Sequence, residues 1–175
     1  MKIVRKIKQV KRLAKRKEDE NWNFRAYFRA EIDQDDLDEI VHALNEQVSA
    51  QIDCTRCGHC CTEITPLFDQ EDMTRFAEGL DISVTEFRKK YLISAEHDPG
   101  MFRFDGFPCP FLKNKKCTNY SHRPKDCVGY PYLDKPNFRG RSMNAVMNCE
   151  VCPIVYNVYE GLKEHFDDWQ DEVKM

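Results

Sequence analysis

Four of the nine cysteines fall inside eight residues, Cys54-Thr-Arg-Cys57-Gly-His-Cys60-Cys61. Packing alone does not require thiols at that density. Thiolates are the soft ligands that zinc, Cu(I) and iron–sulfur clusters prefer. Two overlapping C-x2-C pairs lie in this run, and Cys149-x2-Cys152 is a third. That spacing lets one tight turn aim two sulfurs at one ion. The candidate ligands are Cys54, Cys57, Cys60, Cys61, Cys109, Cys117, Cys127 and Cys152. They would hold zinc or an iron–sulfur cluster, with 4Fe–4S among its forms. Cys149 reads either as a spare thiol or as a further ligand, favoured as thiolate by the helix N-terminus that follows it.

Cys60 and Cys61 are adjacent, so their Cβ atoms point in different directions. Both ligate one metal only if the backbone kinks sharply. Either the two serve neighbouring sites or one of them packs. Nine thiols fill two four-ligand sites with one left over, or one site with thiols to spare. The run is not the bacterial ferredoxin motif, which places its fourth cysteine after a three-residue gap and before proline. A thioredoxin-like C-x2-C lacks its strand–helix surroundings. A Cys/His nucleophile built on His59 or His122 competes with too many other thiols, so both histidines read first as surface or hydrogen-bonded residues. Arg123 lies between Cys117 and Cys127, where a guanidinium would offset thiolate charge and donate to sulfur. Tyr120, Tyr130 and Tyr132 read as walls around the site.

The surrounding elements follow from periodicity and caps. Ile3, Val4, Ile7, Val10, Leu13 and Ala14 recur at helical spacing and predict a basic amphipathic helix over 2–17. A short aromatic segment, Trp22 to Phe28, follows. Leu37, Ile40, Val41, Leu44 and Val48 predict a helix that opens with Asp35 and Asp36. Asp69 caps a helix over 70–78 ended by Gly79, and Ser83 with Glu86 forms a capping box for 84–92. Pro99-Gly100 marks a turn. Strand pattern appears in Met101–Phe104 and in Cys109–Leu112 and Cys117–Tyr120 around a hairpin. Residues 123–140 read as irregular. Pro153 starts a final helix with Ile154, Val155, Val158, Leu162 and Phe166 on one face. The expected fold class is α-rich α+β, with helices flanking a loop-dominated cysteine-rich centre and a few short strands.

At 175 residues the chain is long enough to bury its own core. We divide it into residues 1–50, an appended or packed helical segment, and a cysteine-cluster domain over 51–175. No run of 18 apolar residues occurs, and the basic start lacks the apolar stretch of a signal peptide. Those features predict a cytoplasmic protein whose thiols stay reduced. Residues 1–17 carry nine Lys and Arg and no acid, while the rest carries 18 basic and 30 acidic residues. Such an arm binds an anionic partner or folds back on its own acidic body. No helix-turn-helix, RNA-binding aromatic motif or Cys2His2 finger accompanies it, so nucleic acid is not the expected partner. A protein partner stays open.

Cys54-x2-Cys57-x2-Cys60-Cys61, Cys109-Pro-Phe-Leu112, Cys117-Thr-Asn-Tyr120, Arg123-Pro124-x2-Cys127 and Tyr130-Pro131 occur in that order. Over about residues 50–155 this resembles the YkgJ-type cysteine cluster family, a zinc- or iron-chelating domain. Similar motifs occur in the flagellin lysine methylase, where the resemblance implies an iron–sulfur cluster. It thus implies a metal-binding protein, or alternatively a protein-modifying enzyme that uses the metal site. Family members more often carry Arg after the cysteine matching Cys127 and Phe before the next proline, where this chain has Val128 and Tyr130.

Overall fold

The computed structural model describes residues 2–172, with side chains through Asp171. In chain order its helices are α1 (Ile7–Arg16), α2 (Glu18–Glu31), α3 (Gln34–Ser49), α4 (Cys60–Glu63), α5 (Gln70–Glu78), α6 (Val84–Tyr91), α7 (Lys125–Gly129), α8 (Phe138–Asn148), α9 (Pro153–His165) and α10 (Trp169–Glu172). The strands are β1 (Leu67–Phe68), β2 (Leu92–Ser94), β3 (Phe102–Phe104), β4 (Leu112–Lys113) and β5 (Lys116–Cys117). The fold is α-rich α+β, as the sequence predicts. The chain divides into two compact units, one formed by the segments up to Asp53 and from Pro131 onward, the other by Cys54–Tyr130. No described helix is long and apolar enough to cross a membrane.

In the helical unit α3 packs on α8 and α9, α2 on α8, and α1 on α9. The predicted aromatic segment is the middle of helix α2. Phe24, Tyr27 and Phe28 sit at helical spacing and are buried, and Glu18, Asp19 and Glu20 supply favourable charge at its first turn. The Phe24 ring meets Tyr159 at 5.6 Å and Trp169 at 5.1 Å between centroids. α1 begins at Ile7 instead of residue 2, because the preceding backbone is held differently. The Val4 amide donates to Asn157 Oδ1 (2.8 Å), and Asn157 Nδ2 donates to Val4 O (2.9 Å). α1 docks on its own unit through Val10 and Ala14, and Lys17 pairs with Glu160.

α8 lies partly in the stretch expected to be irregular. Its start is fixed from far away, where the buried Asp38 carboxylate accepts the amides of Asn137 (2.6 Å) and Phe138 (2.8 Å). These are first-turn donors that no intrahelical carbonyl can satisfy. Asn137 itself is left-handed and accepts from the Gly140 amide.

The cysteine-rich unit is built around an aromatic core. Phe68, Met73, Phe76, Phe87, Phe104 and Phe111 are buried together. Asp69 caps α5 by accepting from Asp72 N, and Ser83 caps α6 by accepting from Glu86 N, as predicted. β3 is the centre of a three-stranded antiparallel sheet, paired with β1 (Phe68 opposite Phe102) and β2 (Leu92 opposite Phe104). Residue 92 is thus strand, one residue beyond α6. The predicted hairpin is β4–β5, with Leu112 opposite Cys117. Its two turn residues, Asn114 and Lys115, both have positive φ, as the tightest hairpin turns require.

Phe76 sits among Phe68, Phe87, Phe104 and Phe111, at centroid distances of 5.5, 5.1, 6.0 and 4.8 Å. Truncating such a side chain removes its burial and leaves a cavity. Phe76→Ala is expected to cost about 3–5 kcal/mol, read as a lower denaturation midpoint for this unit.

Candidate metal centre

The loop that carries the first cysteines is shaped by two local devices. Cys54–Arg56 forms a 3-10 turn, with the Cys57 amide donating to Cys54 O at 3.1 Å. Gly58 then takes φ +61, and a Cβ there would lie 2.5 Å from Lys115 O. Only glycine accepts both the left-handed backbone and this close approach to the β4–β5 turn. The contact brings the first cluster against the hairpin that bears Cys117. α4 follows as one helical turn, with Cys60 and Cys61 as its first residues.

Cys109 joins the same place through its backbone, donating its amide to Cys61 O at 2.8 Å. Cys117 closes β5, and the next turn is pinned by buried Asn119, whose Nδ2 donates to Phe76 O at 2.9 Å. Gly79 makes room for this turn, since a Cβ on it would fall on Asn119 Oδ1 and the His122 ring. α7 delivers Cys127 and is tied down at several points. The Lys125 amide donates to buried Asp72 (3.0 Å), Arg75 pairs with Asp72 and donates to Arg123 O (3.1 Å), and Leu67 N donates to Asp126 Oδ2 (2.8 Å). Asp72 and Arg75 carried no signal in the sequence beyond a helix position. Their role appears only when α5 meets the 123–127 segment.

Cys61, Cys109, Cys117 and Cys127 share one electrostatic neighbourhood. A hydrogen bond from Cys60 draws the Cys61 thiol down to about 7, with help from the Arg123 charge and against burial. Burial pushes Cys109 up to about 11, with the negative charge of Cys61 and Cys117 adding to it. Cys117 is raised by burial and by Cys61. Burial, then Cys61, Cys109 and Cys117, push Cys127 up to about 12. Arg123 opposes the rise at Cys117 and Cys127. Its guanidinium lies 3.5 Å from the Tyr120 ring centroid, and its Nε donates to Tyr120 O at 2.9 Å. Tyr120 is 48% exposed, so it braces Arg123 instead of walling off the thiols.

Among the described residues no cysteine is joined in a disulfide. Cys54 and Cys57 stand in the same loop as Cys60 and Cys61, Cys54 exposed and Cys57 half-buried. Cys149 and Cys152 belong to the helical unit and are buried. The Cys149 thiol donates to Ala145 O at 3.4 Å, and Cys152 precedes the first residue of α9. The histidines are engaged as hydrogen-bonded or packed residues. His59 Nδ1 is 2.9 Å from Thr62 Oγ1 and its Nε2 is 3.4 Å from Glu63 Oε1. Among the described residues, no three His, Cys, Asp or Glu side chains are already drawn into a ligand group. The thiols are neighbours that a metal would have to draw together, as is common where binding completes a site.

Residues 53–153 match the CxxCxxCC family, described as a "putative zinc- or iron-chelating domain". The chain belongs to this family. No solved structure matches it. The matched segment runs from just before Cys54 to just after Cys152 and contains every cysteine of the chain. The donor chemistry here fits the family description: soft sulfur donors, no competing disulfide, and a guanidinium beside them to offset negative charge.

Proposed function

We propose that the cysteine-rich unit is an all-thiolate metal centre that holds an iron–sulfur cluster, with zinc as the alternative occupant. The observation that carries this reading is that Cys109, Cys117 and Cys127 all feel the negative charge of Cys61, itself drawn down beside Arg123, while the Cys109 amide is bonded to Cys61 O. Those four thiols, from four separate segments, form the proposed ligand core. Cys54, Cys57 and Cys60 lie close to it in the same loop and complete the proposed set within this unit. His59 Nδ1 is engaged by Thr62 Oγ1 and its Nε2 lies 3.4 Å from Glu63 Oε1, and the thiols outnumber the imidazoles in this unit, which favours sulfur as the main donor. Seven thiols in one unit exceed the four that either one zinc ion or one cluster uses, so the remaining thiols are spare or serve a second site. A bound cluster would supply electron transfer, whereas zinc would supply only a crosslink.

Visible and EPR spectra of protein purified without oxygen test the cluster reading. The expected protein is brown, and on reduction it gives an EPR signal characteristic of an iron–sulfur centre. Colourless protein with stoichiometric zinc would overturn the cluster and leave the thiolate centre standing.

A further inference from the structure

The helical unit contains a cavity of about 50 Å3 whose chemistry is separate from the cysteine-rich unit. Its lining includes Glu18, Asn21 and Trp22 of α2, together with Cys149 and Glu150 beyond the end of α8, with apolar side chains of α1 and α8 between them. Asn21 is 2% exposed, and its Oδ1 is buried without a hydrogen-bond donor among the described residues. An orphaned buried oxygen is costly to leave unpaired, so it points to a donor supplied from outside the chain. The other polar groups are also acceptors. Glu18 is exposed and Glu150 half-buried, and neither is held in an ion pair among the described residues. Cys149 gives its S–H to Ala145 O, which leaves sulfur lone pairs. Arg25, whose guanidinium lies 5.7 Å from the Trp22 ring centroid, is outside the lining and donates to Ser142 Oγ at 3.0 Å.

An acceptor-rich cavity with two carboxylates calls for a cation that carries N–H donors. The volume sets its size. One water occupies about 10–15 Å3 by this measure, so the space holds roughly three to four heavy atoms. A coordinated metal ion is a poorer match, because no three acidic, thiol or imidazole groups converge. We propose that this cavity binds a small primary ammonium group, either a free alkylamine or the end of a lysine side chain. The ammonium donates to Asn21 Oδ1 while Glu18 and Glu150 balance its charge, and its short alkyl stem meets the apolar walls. A hydrogen bond to a charged donor is stronger than one between neutral groups, and more so when the acceptor is otherwise unpaired.

The test is a fluorescence titration of the full chain at constant ionic strength, since Trp22 lines the cavity. Ethylammonium is expected to give a saturable change, and tetramethylammonium, which has no N–H, is expected to give none. Nα-acetyl-lysine amide distinguishes the two sources. Saturable binding of it assigns the cavity to lysine ends as well as free amines, and its failure restricts the site to free amines. Asn21→Leu should weaken ethylammonium binding about tenfold, with circular dichroism confirming the helices. Glu150→Gln, a half-buried substitution outside any helix, should weaken it several-fold and decides the matter if Asn21→Leu does not fold. A linear response, an equal response to tetramethylammonium, or wild-type binding in folded variants overturns the proposal and leaves water as the occupant. Metal content does not enter this readout.

Discussion

Cys127→Ser is expected to lose essentially all bound metal, with affinity down about a hundredfold or more, since a core ligand matters more than the outer-shell groups worth 10–100-fold. Cys127 is the most strongly perturbed of the four clustered thiols, raised to about 12 by burial and by its three neighbours. Its position is fixed by backbone bonds of α7 and by Asp72 and Asp126, so serine changes the donor and leaves its placement intact. Cys57→Ser should lose metal as well, because its thiol belongs to the proposed ligand set of this unit. Cys149→Ala is the control. That thiol is hydrogen-bonded to Ala145 O in the helical unit, and the variant should keep its full metal load. Metal per chain after desalting is the readout. Full retention in both Cys127→Ser and Cys57→Ser would remove the ligand assignment.

Metal removal is the second large effect, and its sign with pH follows from the thiols. In the metal-free protein Cys109 and Cys127 are held near 11 and 12, above the ordinary value of about 9. Both are therefore protonated at pH 7, and binding must displace both protons. Apparent affinity should rise by about two log units per pH unit from these two groups alone, and fall as steeply in acid. The folded metal-free unit binds more protons than the unfolded chain between about pH 9 and 12, so its stability should fall across that window. Chelation at neutral pH should raise amide exchange over residues 54–61 and 109–130, where backbone order depends on short turns. Residues 68–104 should stay protected by the Phe68–Phe76–Phe87–Phe104 core. Unchanged exchange in the cysteine loops on chelation would contradict a site completed by metal.

Much of the architecture was readable where local chemistry decides it. Asp69 and Ser83 accept the cap amides that their positions foretold, and Pro153 opens α9 at its first position. α2 was misread because its aromatics look like a covering segment, although Phe24, Tyr27 and Phe28 do keep helical spacing. α8 could not be read, because its N-terminal amides are satisfied by Asp38, a hundred residues earlier. Strands β1 and β2, of two and three residues, exist only through pairing with β3. The site followed the same division. Cysteine spacing announced the metal. What spacing could not say was which cysteine-bearing segments lie side by side, because Gly58, Asn119 and the Asp72–Arg75 pair set that by contacts between distant segments.

X-ray absorption at the metal edge of protein purified without oxygen tests the thiolate centre most directly. The account predicts a first shell of sulfur alone, at about 2.3 Å, for iron or for zinc. Nitrogen or oxygen neighbours making up half of that shell, or protein that carries neither metal, would contradict it.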